Sequence, residues 1–489
     1  VHNSFFESWY LSIWLSGQDV RFWIGRADMA LTLEGNPKDV VNRVAVILVL
    51  SLIAVVGGAF YYDRRKNTKV SCRRRPAAWV LALLICSYLL LIPALFATLF
   101  NMTIGAVDAL VLEDASDSTI EFIHLLGDTG SWLGAVMVAA FAILVPLVKI
   151  ALLLLGEFWR CSEDQRKRRR ARTCIRFVQI ISKWACPDVI AYIFLLYLVR
   201  HLNRPPINGL FSLDIGFTCY TLFCWGSTIS SLGVHLPALE EDQKSDPKEP
   251  WALRVLGRRG TALTMFLIQV VFVVCFVLGM VWSCLGLRLD QNILVNNGLP
   301  QWQVDVMINL HVAEHAKADV TIFQCIDMLL KVQAESFDAN AILSIIMLAV
   351  FVLGLTVLDM VVLAVTSVQL LFNSSRSSED NQCNLITLTK HLKKMAMLDV
   401  LVLGIIVVVL SGSVYKEQGL VLAPGWGLLA LGGAEVMHYL AYALVRGFVT
   451  KVVAVAGDSK VARKEMSEES TTISNDHASE ISSDGTNPA

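Results

Sequence analysis

Nine apolar stretches, each about the 20 residues a helix needs to cross a roughly 30 Å hydrocarbon core, constrain this chain more than any other feature. In hydrocarbon every backbone N–H and C=O must find its partner inside the protein, and a helix meets that demand within one segment. The stretches fall at about 44–62, 77–100, from 131 onward, 184–199, 209–232, 262–285, within 341–371, 395–410 and 424–445. The fifth is the weakest by hydropathy, because it carries Asp214 and several Ser and Thr. With 55% hydrophobic and 17% charged residues and a mean hydropathy of +0.58, the composition is that of an all-α integral membrane protein, not a water-soluble fold.

Basic residues sit in short connections. DRRKNTKVSCRRR follows the first stretch and RCSEDQRKRRRARTCIR follows the third, two crossings apart. Loops rich in Lys and Arg are retained on the cytoplasmic side, which places the C-terminus there and the N-terminus on the opposite side. Residues 1–43 then form a non-cytoplasmic segment whose Trp9, Trp14 and Trp23 suit a membrane interface, although the chain begins at Val1 and an upstream targeting segment is compatible with that start. Residues 447–489 are rich in Ser, Thr and acids and are expected to be a disordered cytoplasmic tail. Asn101 heads a glycosylation sequon close to the outer membrane face.

The chain contains an internal similarity. FAILVPLVKI from Phe141 aligns with FVLGLTVLDM from Phe351, KWACPDVIA from Lys183 with KMAMLDVLV from Lys394, and the sequence around Gly216 with that around Gly425. Three matches in one order and at nearly one offset imply two four-helix repeats, 77–236 and 261–446. A leading helix and basic loop (44–76) precede them, and a cytoplasmic linker (237–260) joins them. An even number of crossings per repeat keeps both copies in the same orientation, with a seam or cavity between them.

Ionisable residues inside spans are costly and face the protein interior or water. Asp188 and Asp399 occupy equivalent positions, as do Lys149 and Asp359, which carry opposite charges. Lys149 and Asp188 lie at similar depth and are expected within reach of one another, as substrate-path or gating groups; snorkelling of Lys149 and helix-start roles for the aspartates are the structural alternative. Glu435 and His438, one turn apart in the last stretch, read either as a proton relay or as a satisfied polar pair. Pro146 and Pro187 shape their helices by removing backbone hydrogen bonds, and Gly216, Gly425 and Gly427 suit close backbone approach.

No P-loop, HExxH or GxSxG motif occurs, and the 11 cysteines form no CxxC pair, so no enzyme, cofactor or metal is expected and nucleic-acid binding has no support. Cys284 and Cys325 share the non-cytoplasmic side; two separate thiols is the preferred reading over a disulfide.

VPLVKI at Val145, KWACPDV at Lys183, KMAMLDV at Lys394 and APGWG at Ala423 resemble the paraquat-inducible protein A family of two-repeat membrane proteins. That family typically has a proline and lysine in the second span of each unit, a Trp-Ser-Met-x-Asp-Val stretch opening the third, and Pro-Gly opening the fourth. This chain departs from it at Thr356, Asp359 and 214–217, adds a leading span, and lacks the zinc ribbons of the bacterial relatives, so metal binding is not carried over. The resemblance implies lipid transport or membrane lipid homeostasis, with membrane lipids and a lipid-shuttling protein as partners. A non-transporting scaffold acting through loops and tail, or an ion or proton pathway, are the alternatives.

Overall fold

A computed structural model describes residues 37–65, 76–106, 110–201, 203, 207–237, 251–290, 317–335, 337–372, 388–389, 391–416 and 420–444. The interfacial N-terminal segment, most of the first basic loop and of the linker, and the acidic tail lie outside them.

Eight helices among the described residues are long and apolar enough to cross a membrane, and the protein is a helical integral membrane protein. Helix α1 (Pro37–Arg65) leads. Helix α2 (Ala78–Phe96) passes into strands β1 (Thr98–Ala106) and β2 (Leu110–Ser118), then helix α3 (Thr119–Asp128). Helix α4 (Trp132–Arg160) and the basic helix α5 (Gln165–Ile181) follow. A 3-10 turn at Ser182–Ala185 then leads to α6 (Pro187–His201), β3 (Ile207–Leu213) and α7 (Ile215–Gly233).

A similar order of elements, without a described counterpart of α5, occurs again: α8 (Trp251–Val281), β4 (Leu285–Leu289), β5 (Ala318–Val320) and α9 (Ile322–Glu335). After them come α10, which begins as Ala339–Ile345 and ends as Leu355–Phe372, then α11 (Leu398–Ser411), β6 (Leu420–Pro424) and α12 (Trp426–Leu444). The correspondence extends to detail. Helix α4 widens to a π-helix at Ala140–Leu144 and α10 at Ile346–Gly354, so the aligned Phe141 and Phe351 both lie in π segments.

Two three-stranded antiparallel sheets, β2-β1-β3 and β5-β4-β6, are additions to the helical frame that hydropathy did not disclose. In each, the central strand continues the first helix of its set and an outer strand leads into the last. Phe100 pairs with Leu213 in the first, and Leu285 with Pro424 in the second. Each middle helix starts from a capping box: Ser118 with Glu121, and Thr321 with Gln324. Phe100 stacks on Phe211 at 5.2 Å and meets Phe122 edge-on at 5.8 Å, which fixes the first sheet to α3. Asn101 of the sequon donates its side-chain amide to Asp214 Oδ2 at 3.1 Å, so the group that glycosylation would use is engaged within the fold.

The described contacts divide the chain into two compact units. One comprises 1–239, 273–358 and 392–435, and the other 240–272, 359–391 and 436–489. Burial within the larger unit is uneven. Only 6% of the apolar window of α1 is covered by protein, whereas 83% of the window that includes α6 is covered. Helix α7, the fifth stretch of the sequence reading, is a 19-residue helix that falls outside the eight because of its polarity. Its composition follows from its surroundings. Nearly all of it is enclosed, and Thr228, Ser230 and Ser231 donate to nearby carbonyls, so most of its hydroxyls are satisfied without water, Thr221 being the exception.

Cys284 and Cys325 are buried, free thiols, each pushed up to about 12 by burial. The thiolate is the nucleophile, so raising a thiol above its ordinary value lowers its reactivity at neutral pH. Maleimide at pH 7.5 is expected to label the exposed Cys161 in the folded protein and to leave Cys284 and Cys325 unmodified until denaturant is added. Peptide mass spectrometry of the labelled chain checks this.

Candidate functional site

Enclosed charges converge in the larger unit where α6 lies against α11. Every residue from Pro187 to Phe194 is buried, and α11 turns Val400, Leu401, Gly404, Ile405, Val407 and Val408 inward. Gly404 allows the close approach: a Cβ there would lie 2.8 Å from Ile190 Cβ and from the Pro187 carbonyl.

Beside the starts of α6 and α11, exchanged polar contacts join the two sides of this seam. Lys183 Nζ lies 2.8 Å from Asp399 Oδ1 and also donates to the Ala396 carbonyl at 2.9 Å. Trp184 Nε1 donates to Asp399 Oδ2 at 3.3 Å, and the same carboxylate accepts Val400 N at 3.0 Å within the first turn of α11. Reciprocally, Lys394 Nζ donates to Gln179 Oε1 at 2.7 Å, and Gln179 in turn donates to the Val234 carbonyl at 2.9 Å. Lysines at aligned positions thus each reach across to the other set of helices.

Lys149 and Asp188 do not pair. Lys149 is fully buried one turn beyond Pro146, and its Nζ donates to Ser182 Oγ at 2.7 Å. Asp188 Oδ2 lies 3.2 Å from the Tyr220 hydroxyl, which is also 3.1 Å from the Ala185 carbonyl, while Asp188 Oδ1 has no partner. Similar depth placed the two residues on one level, but the 3-10 turn at Ser182–Ala185 interposes its own hydroxyl for the lysine and directs the aspartate toward α7. Pro146 offers its carbonyl to Tyr88 at 3.1 Å, a bond that ties α4 to α2, and Pro187 is the first residue of α6, where a missing N–H costs nothing.

Glu435 Oε1 accepts from Lys393 at 3.3 Å, both side chains being buried in the larger unit. In the smaller unit, His438 Nε2 lies 2.7 Å from Asp359 Oδ2, and its ring sits 5.8 Å from that of Phe272. Nearby polar pairing in the same unit joins Ser367 to Gln269 Oε1 at 3.2 Å. Gly216 and Gly425 start the last helix of each set against the end of the first: an added Cβ would lie 2.6 Å from the Thr98 carbonyl in one case and meet the Ser283 carbonyl in the other. Ser182, Gln179, Tyr220 and Lys393 complete these contacts and were not singled out by sequence reasoning. The one signal for Lys393 was its place beside the aligned Lys394; the others are ordinary polar residues in a basic or Ser-rich context. Among the described residues, no group of three His, Cys, Asp or Glu is placed to hold a metal ion.

Removing one partner of a buried ion pair leaves an uncompensated charge and costs about 3–5 kcal/mol, whereas replacing both by apolar groups is far less harmful. Lys183→Met and Asp399→Leu are each expected to lower the unfolding midpoint in detergent strongly, and the double variant to recover most of the loss. Additive losses would show that the two residues are not coupled.

No curated protein and no solved structure matches the chain. Residues 77–233 match the model of the paraquat-inducible protein A family, and the match runs from the residue before α2 to the last residue of α7.

Proposed function

We propose that this membrane protein moves lipid into or out of a bilayer, and that it does so by opening the α6–α11 seam. Enclosed charges in the middle of a membrane helix bundle carry this reading, because such groups are costly unless the bundle uses them. The family match supports it, since bacterial relatives work beside lipid-shuttling proteins of the cell envelope. The order of elements supports a duplicated architecture of two same-handed four-helix sets, 77–236 and 261–446. Arg64 and Arg65 at the end of α1 and the basic α5 favour a cytoplasmic side for those ends and for the C-terminus. On this reading Lys149, Asp188 and Asp399 contact a headgroup or gate its path in the larger unit. Asp359, with His438, does so in the smaller. A lipid-shuttling protein receives or delivers the lipid on the non-cytoplasmic side.

In the conformation described the seam is closed, so a bond that ties the end of α11 to the start of α4, and so holds α11 against the helices beside it, should block transfer. Ser131 Oγ contacts Ser413 Oγ directly, and both bond the Leu410 carbonyl, a site suited to a paired Ser131→Cys, Ser413→Cys variant. Wild-type protein is expected to retain phospholipid in mild detergent, read by mass spectrometry, and to transfer it between liposomes. Oxidising the double-cysteine variant should reduce transfer at least about tenfold, with recovery on reduction. Lipid-free protein, or transfer unaffected by the cross-link, would overturn the proposal.

A further inference from the structure

Helix α5 carries a charge pattern that works against its own stability. Within Gln165–Ile181 it holds seven cations and no acid, and five of them, Arg166 to Arg170, follow one another in its first turns. Those turns are the positive end of the helix dipole, which favours acids. Like charges four residues apart, as at Arg166 and Arg170, add repulsion. Asp164 at the N-cap, which accepts from Arg166 N at 2.8 Å, and the exposed Glu163 offset only part of this excess. Arg166, Lys167, Arg170 and Arg176 are exposed and take part in none of the described ion pairs.

Keeping a loop on one side of a membrane takes positive charge but no ordered array. Here the array is ordered. Ile175 and Val178 of α5 pack with Leu153 of α4, Val80 of α2 and Val234 beyond α7. The opposite face is one line of Arg166, Arg170, Thr173, Phe177 and Ile180, spaced by three or four residues and exposed throughout. Along that line the character changes from cationic to apolar, Phe177 being 49% and Ile180 52% exposed. Beside it, the end of α4 presents Phe158, 80% exposed. A face turned only to water, or to a soluble polyanion, has no use for the apolar half. A helix that passes from acyl chains through headgroups into water needs both halves.

We propose that the outward face of α5 is a binding surface for anionic phospholipid headgroups of the leaflet through which it passes. Arg170 and Arg176 bracket Thr173, where the face changes character, and meet the phosphates; Arg170 stands about 10 Å beyond Phe177 along the helix axis. Arg166 and Lys167 add long-range attraction. The bound headgroups relieve the repulsion within α5 and hold it in place. Its last turn supplies Gln179 to Lys394, and the chain runs on to Lys183, so a fixed α5 also steadies the α6–α11 seam. These headgroups are not the lipid that is moved, and the surface is read by stability, not by transfer.

The test uses the full chain in neutral-detergent micelles carrying added phosphatidylcholine or phosphatidylglycerol. Phosphatidylglycerol should raise the unfolding midpoint along a saturable curve, as a ligand specific to the folded state must. Phosphatidylcholine should not, and added salt should weaken the response. The triple variant Lys167→Gln, Arg170→Gln, Arg176→Gln removes exposed charge, so its midpoint in phosphatidylcholine should be no lower than that of wild type. It should need at least about tenfold more phosphatidylglycerol for the half-maximal response. Arg64→Gln with Arg65→Gln, which removes exposed cations from the end of α1, should leave the response unchanged. No response to phosphatidylglycerol, an equal response in the triple variant, or an equal loss in the α1 variant would overturn the proposal. So would a shift of the same size from heparin or inorganic phosphate, which would assign the face to a soluble anion.

Discussion

The buried contact between Lys183 and Asp399 is the interaction on which the larger unit depends. Two charges enclosed by helices are tolerable only when paired and further hydrogen-bonded, and here the Ala396 carbonyl, Trp184 and Val400 N supply the extra bonds. Because the partners come from segments far apart in the chain, the pair specifies which helices meet and in what register. The reciprocal bond from Lys394 to Gln179 makes that specification double. The seam is then packed by small-residue contact at Gly404, which adds dispersion without needing a hydrophobic drive that hydrocarbon does not provide.

Much of this was legible in sequence, for a reason that is physical. A span must be apolar where it faces lipid, so α1, α2, α4, α8, α10 and α12 announce themselves. The same logic fails where a helix faces protein. Helix α7 reads as weak because it carries Ser and Thr that are enclosed and mostly satisfied by neighbouring carbonyls, and the two small sheets read as parts of apolar stretches or of polar loops. Their capping boxes, Ser118 with Glu121 and Thr321 with Gln324, are visible in the sequence at comparable places and would have marked the strand ends. The partners of the charged residues were not legible. Depth along a helix can be counted from a basic loop, but azimuth cannot, and a single 3-10 turn rotated Asp188 toward Tyr220 and left Lys149 to Ser182.

Aligned positions that differ in charge acquired different partners. Lys149 is served by a neutral hydroxyl, Ser182, and the residue aligned with Ser182 is Lys393, which bonds Glu435. Asp359, aligned with Lys149, bonds His438. A swap of charge at one position in a low-dielectric interior cannot stand alone, since the orphaned partner would cost several kcal/mol. Asp359 and Lys393 are each matched by a residue of α12, His438 for the first and Glu435 for the second, where the aligned positions 229 and 226 hold Ile229 and Gly226.

That divergence bears on what the seam can do. Two identical walls would bind a ligand equally from either side, and their contacts would offer no basis for directing it. In this chain the lysines at 183 and 394 reach across the seam to different acceptors, a carboxylate in one case and an amide in the other. Opening the seam would therefore expose an ion pair at one crossing and a single lysine cation bonded to an amide at the other. The ion pair costs more to separate in a dry interior and less once water or a charged headgroup arrives to solvate it. If the seam opens as proposed, the Lys394–Gln179 crossing would part first, and full separation would need something that can solvate Lys183 and Asp399.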